Sequence, residues 1–282
     1  MSIEWTDQVL NPVRAHRDMG DGSTIVGHHC EKVSPGCLHC YAETINLGGR
    51  FGPDRGTRLP FMRSSRDRVE IRLEPKVLDT LRKVRKPRRF FVGSMTDLFA
   101  DFVPEEMLLE VLEACHAAAL RGAVVQLLTK RPERMVRTLQ QNRALAHPNL
   151  WTGVSVESSR ELYRIDLLFY VAGTTRFVSY EPALTAIDFG LRLDRVAWLI
   201  VGGESGPGAR PFHLEWGLDA CRQAIAAGCP PFVKQVGSNP WFRGKPLPCN
   251  AARGGDMGEW PEKLRLRGFP QINTYLAEES AS

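Results

Sequence analysis

Three cysteines stand within eleven residues near the N-terminus: Cys30, Cys37 and Cys40, in the run His29-Cys30-Glu31-Lys32-Val33-Ser34-Pro35-Gly36-Cys37-Leu38-His39-Cys40-Tyr41. The spacing is Cys-x6-Cys-x2-Cys. Three thiolates on one loop can bind a metal centre and leave one coordination position open for a cofactor or substrate, whereas a site closed by four protein ligands is usually structural. Two centres suit this set: an iron–sulfur cluster held on the three thiolates, or zinc completed by His28, His29 or His39. Structural zinc sites often use two Cys-x2-Cys knuckles, and only one is present here. Cys229 and Cys249 fall near loops and are further fourth-ligand candidates. Cys115 and Cys221 lie in helical patterns and read as small apolar packing residues.

Further polar residues recur just past a series of short apolar runs. They are Ser94-Met95-Thr96-Asp97, Thr129-Lys130-Arg131, Ser155 with Glu157, Ser179-Tyr180-Glu181, Gly202-Gly203-Glu204-Ser205 and Lys234-Gln235. In parallel α/β folds the C-terminal ends of strands form the ligand site. Ser94, Met95, Asp97, Lys130, Ser155, Glu157, Glu181, Gly203 and Glu204 are therefore cofactor-binding candidates. The paired glycines Gly202 and Gly203 suggest close approach of a ligand to the backbone, with Glu204 available to a cationic amine or a ribose hydroxyl.

The elements that must position these residues alternate. Apolar runs at 89–94, 124–129, 150–156, 176–180, 196–201 and 231–235 read as buried strands. Helical periodicity occupies 75–85, 104–121, 132–143, about 159–171 and 214–227. One more strand near Gln8–Val13 precedes the cysteine loop. Short strands alternating with amphipathic helices predict an α/β fold, a full or partial (β/α) barrel of parallel strands, with a doubly wound open sheet as the rival. The expected organisation is a single barrel-like domain over 1–270. It carries the cysteine loop at 28–43, directly after the first strand, and a basic insertion at 50–72. Residues 271–282 form a C-terminal tail.

The chain has 282 residues, 43% apolar and 24% charged, an ordinary mixture for a globular domain. No apolar run approaches the ~20 residues needed to cross a bilayer, so no membrane partner is expected. The N-terminus lacks the basic flank and apolar core of a signal peptide, which predicts a cytoplasmic location. Seven cysteines in a reducing compartment point to ligands or buried thiols rather than disulfides. The net charge is +5, and it is clustered: Arg50, Arg55, Arg58, Arg63, Arg66, Arg68 and Arg72 form one run, and Lys83, Arg85, Lys86, Arg88 and Arg89 a second. Such runs neutralise phosphates, so DNA or RNA is an expected partner, with Arg63, Arg66, Arg68, Arg88 and Arg89 as contact candidates.

Trp5-Thr6-Asp7 with Asn11-Pro12, Val33-Ser34-Pro35-Gly36-Cys37 with Cys40-Tyr41-Ala42-Glu43, Ser94-Met95 with Asp97-Leu98-Phe99, Thr129 to Arg134, Gly153 to Glu157 and Val201 to Pro207 together resemble a phage-associated three-Cys-motif family, a domain of unknown function, over residues 3 to 270. That family in turn is similar to the radical SAM enzymes. Their usual spacing is Cys-x3-Cys-x2-Cys with an aromatic residue before the last cysteine. Here the first gap is six residues, His39 precedes Cys40 and Tyr41 follows it.

The resemblance implies a 4Fe-4S cluster on Cys30, Cys37 and Cys40, with S-adenosyl-L-methionine chelated at the fourth iron and cleaved reductively. It puts Ser94, Met95 and Asp97 near the methionine amine, Ser155 and Glu157 near the ribose or carboxylate, and Lys130 and Arg131 near the carboxylate. The Gly203-Glu204 strand end falls on the adenine or substrate side. The implied activity is modification or repair of a nucleic acid or nucleotide, with an electron donor for the cluster and room for a partner protein. The competing expectations are a nucleic-acid-binding protein with a structural zinc site and an iron–sulfur partner protein without SAM chemistry.

Overall fold

The apolar runs of the sequence become parallel strands, and the periodic runs between them become helices. The computed structural model describes residues 3–48 and 56–271. In chain order its elements are β1 (Gln8–Leu10), β2 (Val13–Asp18), β3 (Thr24–Gly27), α1 (Tyr41–Asn46), β4 (Glu70–Leu73), α2 (Pro75–Arg82), β5 (Arg89–Val92), α3 (Glu105–Leu120), β6 (Val124–Thr129) and α4 (Pro132–Gln141). There follow β7 (Leu150–Ser155), α5 (Tyr163–Leu168), β8 (Thr175–Tyr180), β9 (Trp198–Gly202), β10 (Phe212–His213), α6 (Leu214–Ala226), β11 (Pro231–Gln235), β12 (Pro240–Phe242) and β13 (Lys245–Pro246).

Seven strands form one parallel sheet in the order β1-β5-β6-β7-β8-β9-β11. The order follows the chain throughout, so the sheet curls into a half-barrel. A doubly wound sheet would reverse its order at a switch point, so that rival does not hold.

Strand side chains alternate between two layers. Phe91, Val124, Trp151, Phe177, Trp198, Ile200 and Phe232 pack together with Trp5 on one side of the sheet. The intervening Phe90, Val125, Leu127, Val178, Leu199 and Val201 join a larger cluster with the helices. Burial on both faces is why the strands read as continuous apolar runs rather than alternating ones. Trp5 closes the inner layer, its ring 4.7 Å from Phe91 and edge-on to Trp198 at 6.0 Å. Gly153 gives that layer its packing: a Cβ there would lie 2.4 Å from the Phe177 ring.

Three features differ from expectation. The cysteine loop does not follow β1 directly, because β2 and β3 intervene; β4, after the loop, joins them in an antiparallel sheet β3-β2-β4. β2 and β4 carry Arg14, His16, Glu70 and Arg72 on one partly exposed face, which hides the apolar pattern. Part of the basic insertion is therefore structured, as β4 and the 3-10 segment Arg63–Arg68. Arg50 and Arg55 lie outside the described residues, as does the tail from 272 onward. The helix expected at 159–171 is split into a capped 3-10 turn at Ser159–Glu161 and the short α5. A small sheet, β10-β12-β13, was too short to show in the sequence. No helix among the described residues is long and apolar enough to cross a membrane.

Candidate metal and cofactor site

At the C-terminal edge of the half-barrel lies a cavity of about 240 Å³. Cys30, Cys37 and Cys40 all line it. So do Ser94, Met95, Asp97, Lys130, Ser155, Glu181, Gly203 and Glu204, delivered by five strands. Of the cofactor-binding candidates, only Glu157 sits behind the wall. Its carboxylate, 1% exposed, accepts from Ser34 Oγ at 2.9 Å, from Arg164 Nη1 at 3.0 Å and from Lys130 Nζ. Gly36 stacks directly on it, and a Cβ there would lie 2.4 Å from Glu157 Oε1. Glu157 thus seats the cysteine loop on the barrel, with both oxygens engaged by the protein.

A second tie runs through Asp97. Its Oδ1 accepts from Thr129 Oγ1 at 2.7 Å, and its Oδ2 accepts from Lys130 N at 3.1 Å and Arg131 Nη1 at 3.0 Å. Arg131 donates through Nη2 to Glu31 O in the cysteine loop at 2.8 Å. The adjoining strand end is pinned by Asn11, which accepts from Met95 N and bonds Ser94 Oγ. The base of the loop is held by Asn46, which accepts from His28 N at 2.9 Å and donates to Leu59 O.

Cys30 and Cys40 each have neighbours that favour the charged form. The Asp97 backbone N–H and the Arg131 side chain address Cys30, and the Ala42 and Glu43 backbone N–H groups address Cys40. Ser34 Oγ lies 4.0 Å from Cys37 Sγ. Burial works the other way: it pushes the Cys30 thiol up to about 12 and raises Cys40 as well. Such thiols stay protonated at neutral pH until a metal displaces the proton.

Among the described residues, no group of three or more His, Cys, Asp and Glu side chains stands in a metal-binding arrangement. The donor chemistry does fit an iron–sulfur group: three sulfurs of one loop on one cavity wall, with backbone N–H groups and a guanidinium aimed at two of them. Two of the three candidate histidines make their contacts elsewhere. His28 Nε2 accepts from Arg14 at 2.8 Å, and burial followed by that cation lowers its pKa to about 3. His29 packs edge-on against Phe102, with its Nε2 3.7 Å from Glu31 Oε1. His39 lines the cavity beside the Gly208 turn. Neither Cys229 nor Cys249 lines the cavity; Cys229 is buried in the core beside α6.

A family model described as a protein of unknown function, DUF5131, matches residues 1–255. The chain belongs to the DUF5131 family. No curated protein and no solved structure matches it. The matched span takes in all three sheets and the cysteine loop, and it ends short of the 270 expected from the sequence motifs.

The glycine-rich end of β9 in this DUF5131 chain serves the protein's own packing. A Cβ on Gly202 would lie 2.4 Å from Glu181 Oε1, and one on Gly203 would lie 2.5 Å from Val236 O. Glu204 is held by Arg210, which donates from its backbone N and from Nε at 2.9 Å. Although burial opposes ionisation, these bonds keep the carboxyl below its usual value. Glu181 is paired with Lys234 at 3.2 Å and accepts from Ser179 Oγ at 3.3 Å.

Three polar atoms on the cavity wall are buried without a hydrogen-bond partner among the described residues: the Thr96 hydroxyl, Trp5 Nε1 and Glu31 Oε1. The sequence marked Thr96 only as a strand-end polar residue and Trp5 only as a motif residue. An unpaired buried donor costs free energy unless something binds it.

The basic runs do not form one patch. Arg63, Arg66 and Arg68 lie just before β4, and Arg66 is close enough to influence His29. Arg88 and Arg89 stand at the opposite, N-terminal edge of β5. Arg89 is committed to Asp7 at 2.7 Å and to the Phe269 ring at 4.3 Å.

Proposed function

We propose that this DUF5131 chain is an iron–sulfur enzyme of the radical SAM type that modifies a nucleotide or nucleic acid. The reading is carried by the sharing of one cavity by all three loop cysteines and the polar ends of five parallel strands. Cys30, Cys37 and Cys40 would hold the cluster. A cluster there, with S-adenosylmethionine bound, would supply reductive cleavage of the sulfonium and a 5′-deoxyadenosyl radical for hydrogen abstraction.

The protein's own groups position and exclude. Asp97 aligns Arg131 against Cys30, and Glu157 seats the loop through Ser34 and the Gly36 backbone. The Thr96 hydroxyl and the Ser94 and Ser155 side chains are the polar groups offered to the methionine end of the cofactor. Trp5, Phe91 and Leu128 line the cavity with apolar surface and exclude water. An external electron donor is required, and the loop edge is where it would dock.

The test is metal content after anaerobic purification. About four irons per chain, lost on Cys37→Ser, are expected. One zinc and no iron would instead assign the cysteines to a structural clasp.

A further inference from the structure

Adjoining this cavity at Cys40 is a second, outer chamber of about 640 Å³. The two share a wall that includes His39, Cys40, Tyr41 and Lys234. The inner cavity carries all three cysteines, and the outer one carries Cys40 alone. Its volume falls in the range of about 300–1,000 Å³ typical of small-molecule sites.

The chamber has an apolar side and a cationic one. Leu38, Tyr41 and Ile45 form the apolar side, with Leu38 57% exposed. Tyr41 is fixed there by its hydroxyl, which donates to Ser94 O at 2.6 Å. Most charges of the chamber are already matched. Glu43 takes Lys32 at 2.6 Å and Phe61 N at 2.8 Å, and Lys234 takes Glu181. Glu4 is exposed.

Arg253 differs. It is half-buried, lines the chamber and makes no hydrogen bond or ion pair among the described residues. Its backbone is left-handed at φ 63°, ψ 15°, a region that disfavours side chains other than glycine. The strap that carries it is clamped: Val236 N donates to Gly254 O at 3.1 Å, and Trp260 Nε1 donates to the same oxygen at 2.9 Å. An arginine held in a costly conformation on a fixed strap, facing open space, is preorganised for an anion.

We infer that the outer chamber is the substrate site and takes a nucleotide unit. Its phosphate lies on Arg253 and its base against the Tyr41, Leu38 and Ile45 wall. The guanidinium fork matches phosphate bidentately, and an aromatic and apolar wall accepts any base face. Ser205 Oγ accepts from Gln235 and Ser238 Oγ accepts from Gly206 N, which leaves both hydroxyl protons to donate to sugar or base edges. The role as substrate site rests on the iron–sulfur reading of the inner cavity; the binding itself does not.

The test is calorimetric titration of the full chain with nucleoside 5′-monophosphates and with single-stranded DNA and RNA oligomers of the same bases. Arg253→Gly removes the fork and suits the left-handed backbone, so its thermal midpoint should be no lower than that of the parent. Its affinity should fall on the order of tenfold to a hundredfold. Arg222→Ala, on the outer face of α6, should bind like the parent. Binding of monophosphates as tight as that of strands assigns a free nucleotide, and tighter strand binding assigns a nucleotide within a polymer. Parent protein that binds neither, or Arg253→Gly protein that binds as well as the parent, overturns the inference. Arg253-dependent binding by protein that contains no iron keeps the site and removes the radical SAM reading.

Discussion

Glu157 is the residue whose removal should most disturb the cysteine loop without touching a cysteine. Its carboxylate is 1% exposed and takes Arg164, whose side chain is 3% exposed, together with Lys130 and Ser34. Glu157→Ala strands a buried guanidinium, and breaking a buried pair from one side costs about 3–5 kcal/mol. Arg164 keeps Ser155 O at 2.8 Å, which places the expectation at the lower end of that range. Glu157→Gln keeps the shape and the Ser34 contact but loses the charge, so about 1.5–3 kcal/mol is expected. Ser34→Ala removes one hydroxyl donor to a carboxylate, about 1.5 kcal/mol. Because Ser34 and Glu157 meet directly, their double mutant should fall short of additivity by about 1 kcal/mol. Urea unfolding followed by tryptophan fluorescence measures all four proteins. A loss below about 1 kcal/mol for Glu157→Ala, or full additivity with Ser34→Ala, would refute the role given to this carboxylate.

Gly36→Ala drives a Cβ to within 2.4 Å of Glu157 Oε1, so it should cost about 1–3 kcal/mol and lower bound iron in parallel, read by unfolding and metal content together. Gly203→Ala meets Val236 O at 2.5 Å and should destabilise by a similar amount whether or not a ligand is present, since the contact is with backbone. Burial pushes the Cys115, Cys221 and Cys229 thiols up to about 12 from an ordinary 9.0. The folded state therefore binds more protons than the unfolded state between those values. Stability is full below about pH 9 and falls as pH rises toward 12, and Cys115→Ala should flatten the slope of a pH series of urea midpoints. If nucleic acid approaches the cavity side, alanines at Arg63, Arg66 and Arg68 should weaken binding and reduce its salt slope, while alanine at Arg88 should not.

The half-barrel was legible because both faces of its strands are buried. Runs such as Val124–Thr129 and Pro231–Gln235 carry no alternation to misread, and their bounds emerge where expected. The clustering of the strand-end residues followed from parallel architecture alone. The β3-β2-β4 sheet was not legible, because Arg14, His16 and Arg72 interrupt its apolar pattern and the β2–β4 pairing is non-local. Nor was the division of labour among the acidic residues. Glu157, Glu204 and Glu181 look alike at strand ends, and only their partners Arg164, Arg210 and Lys234 show that each is engaged within the protein. Arg164 sits inside a helical run and Arg253 in an irregular one, so neither carries a local signal of its role.

The proposed iron–sulfur reading requires the thiol-lined cavity to support reductive chemistry on S-adenosylmethionine. It is tested most directly by incubating anaerobically reconstituted protein with S-adenosylmethionine and a strong reductant and measuring 5′-deoxyadenosine. The parent protein should form it, and Cys30→Ala, Cys37→Ala and Cys40→Ala proteins should not. Iron-loaded protein that yields none, or as much from the cysteine variants as from the parent, contradicts it.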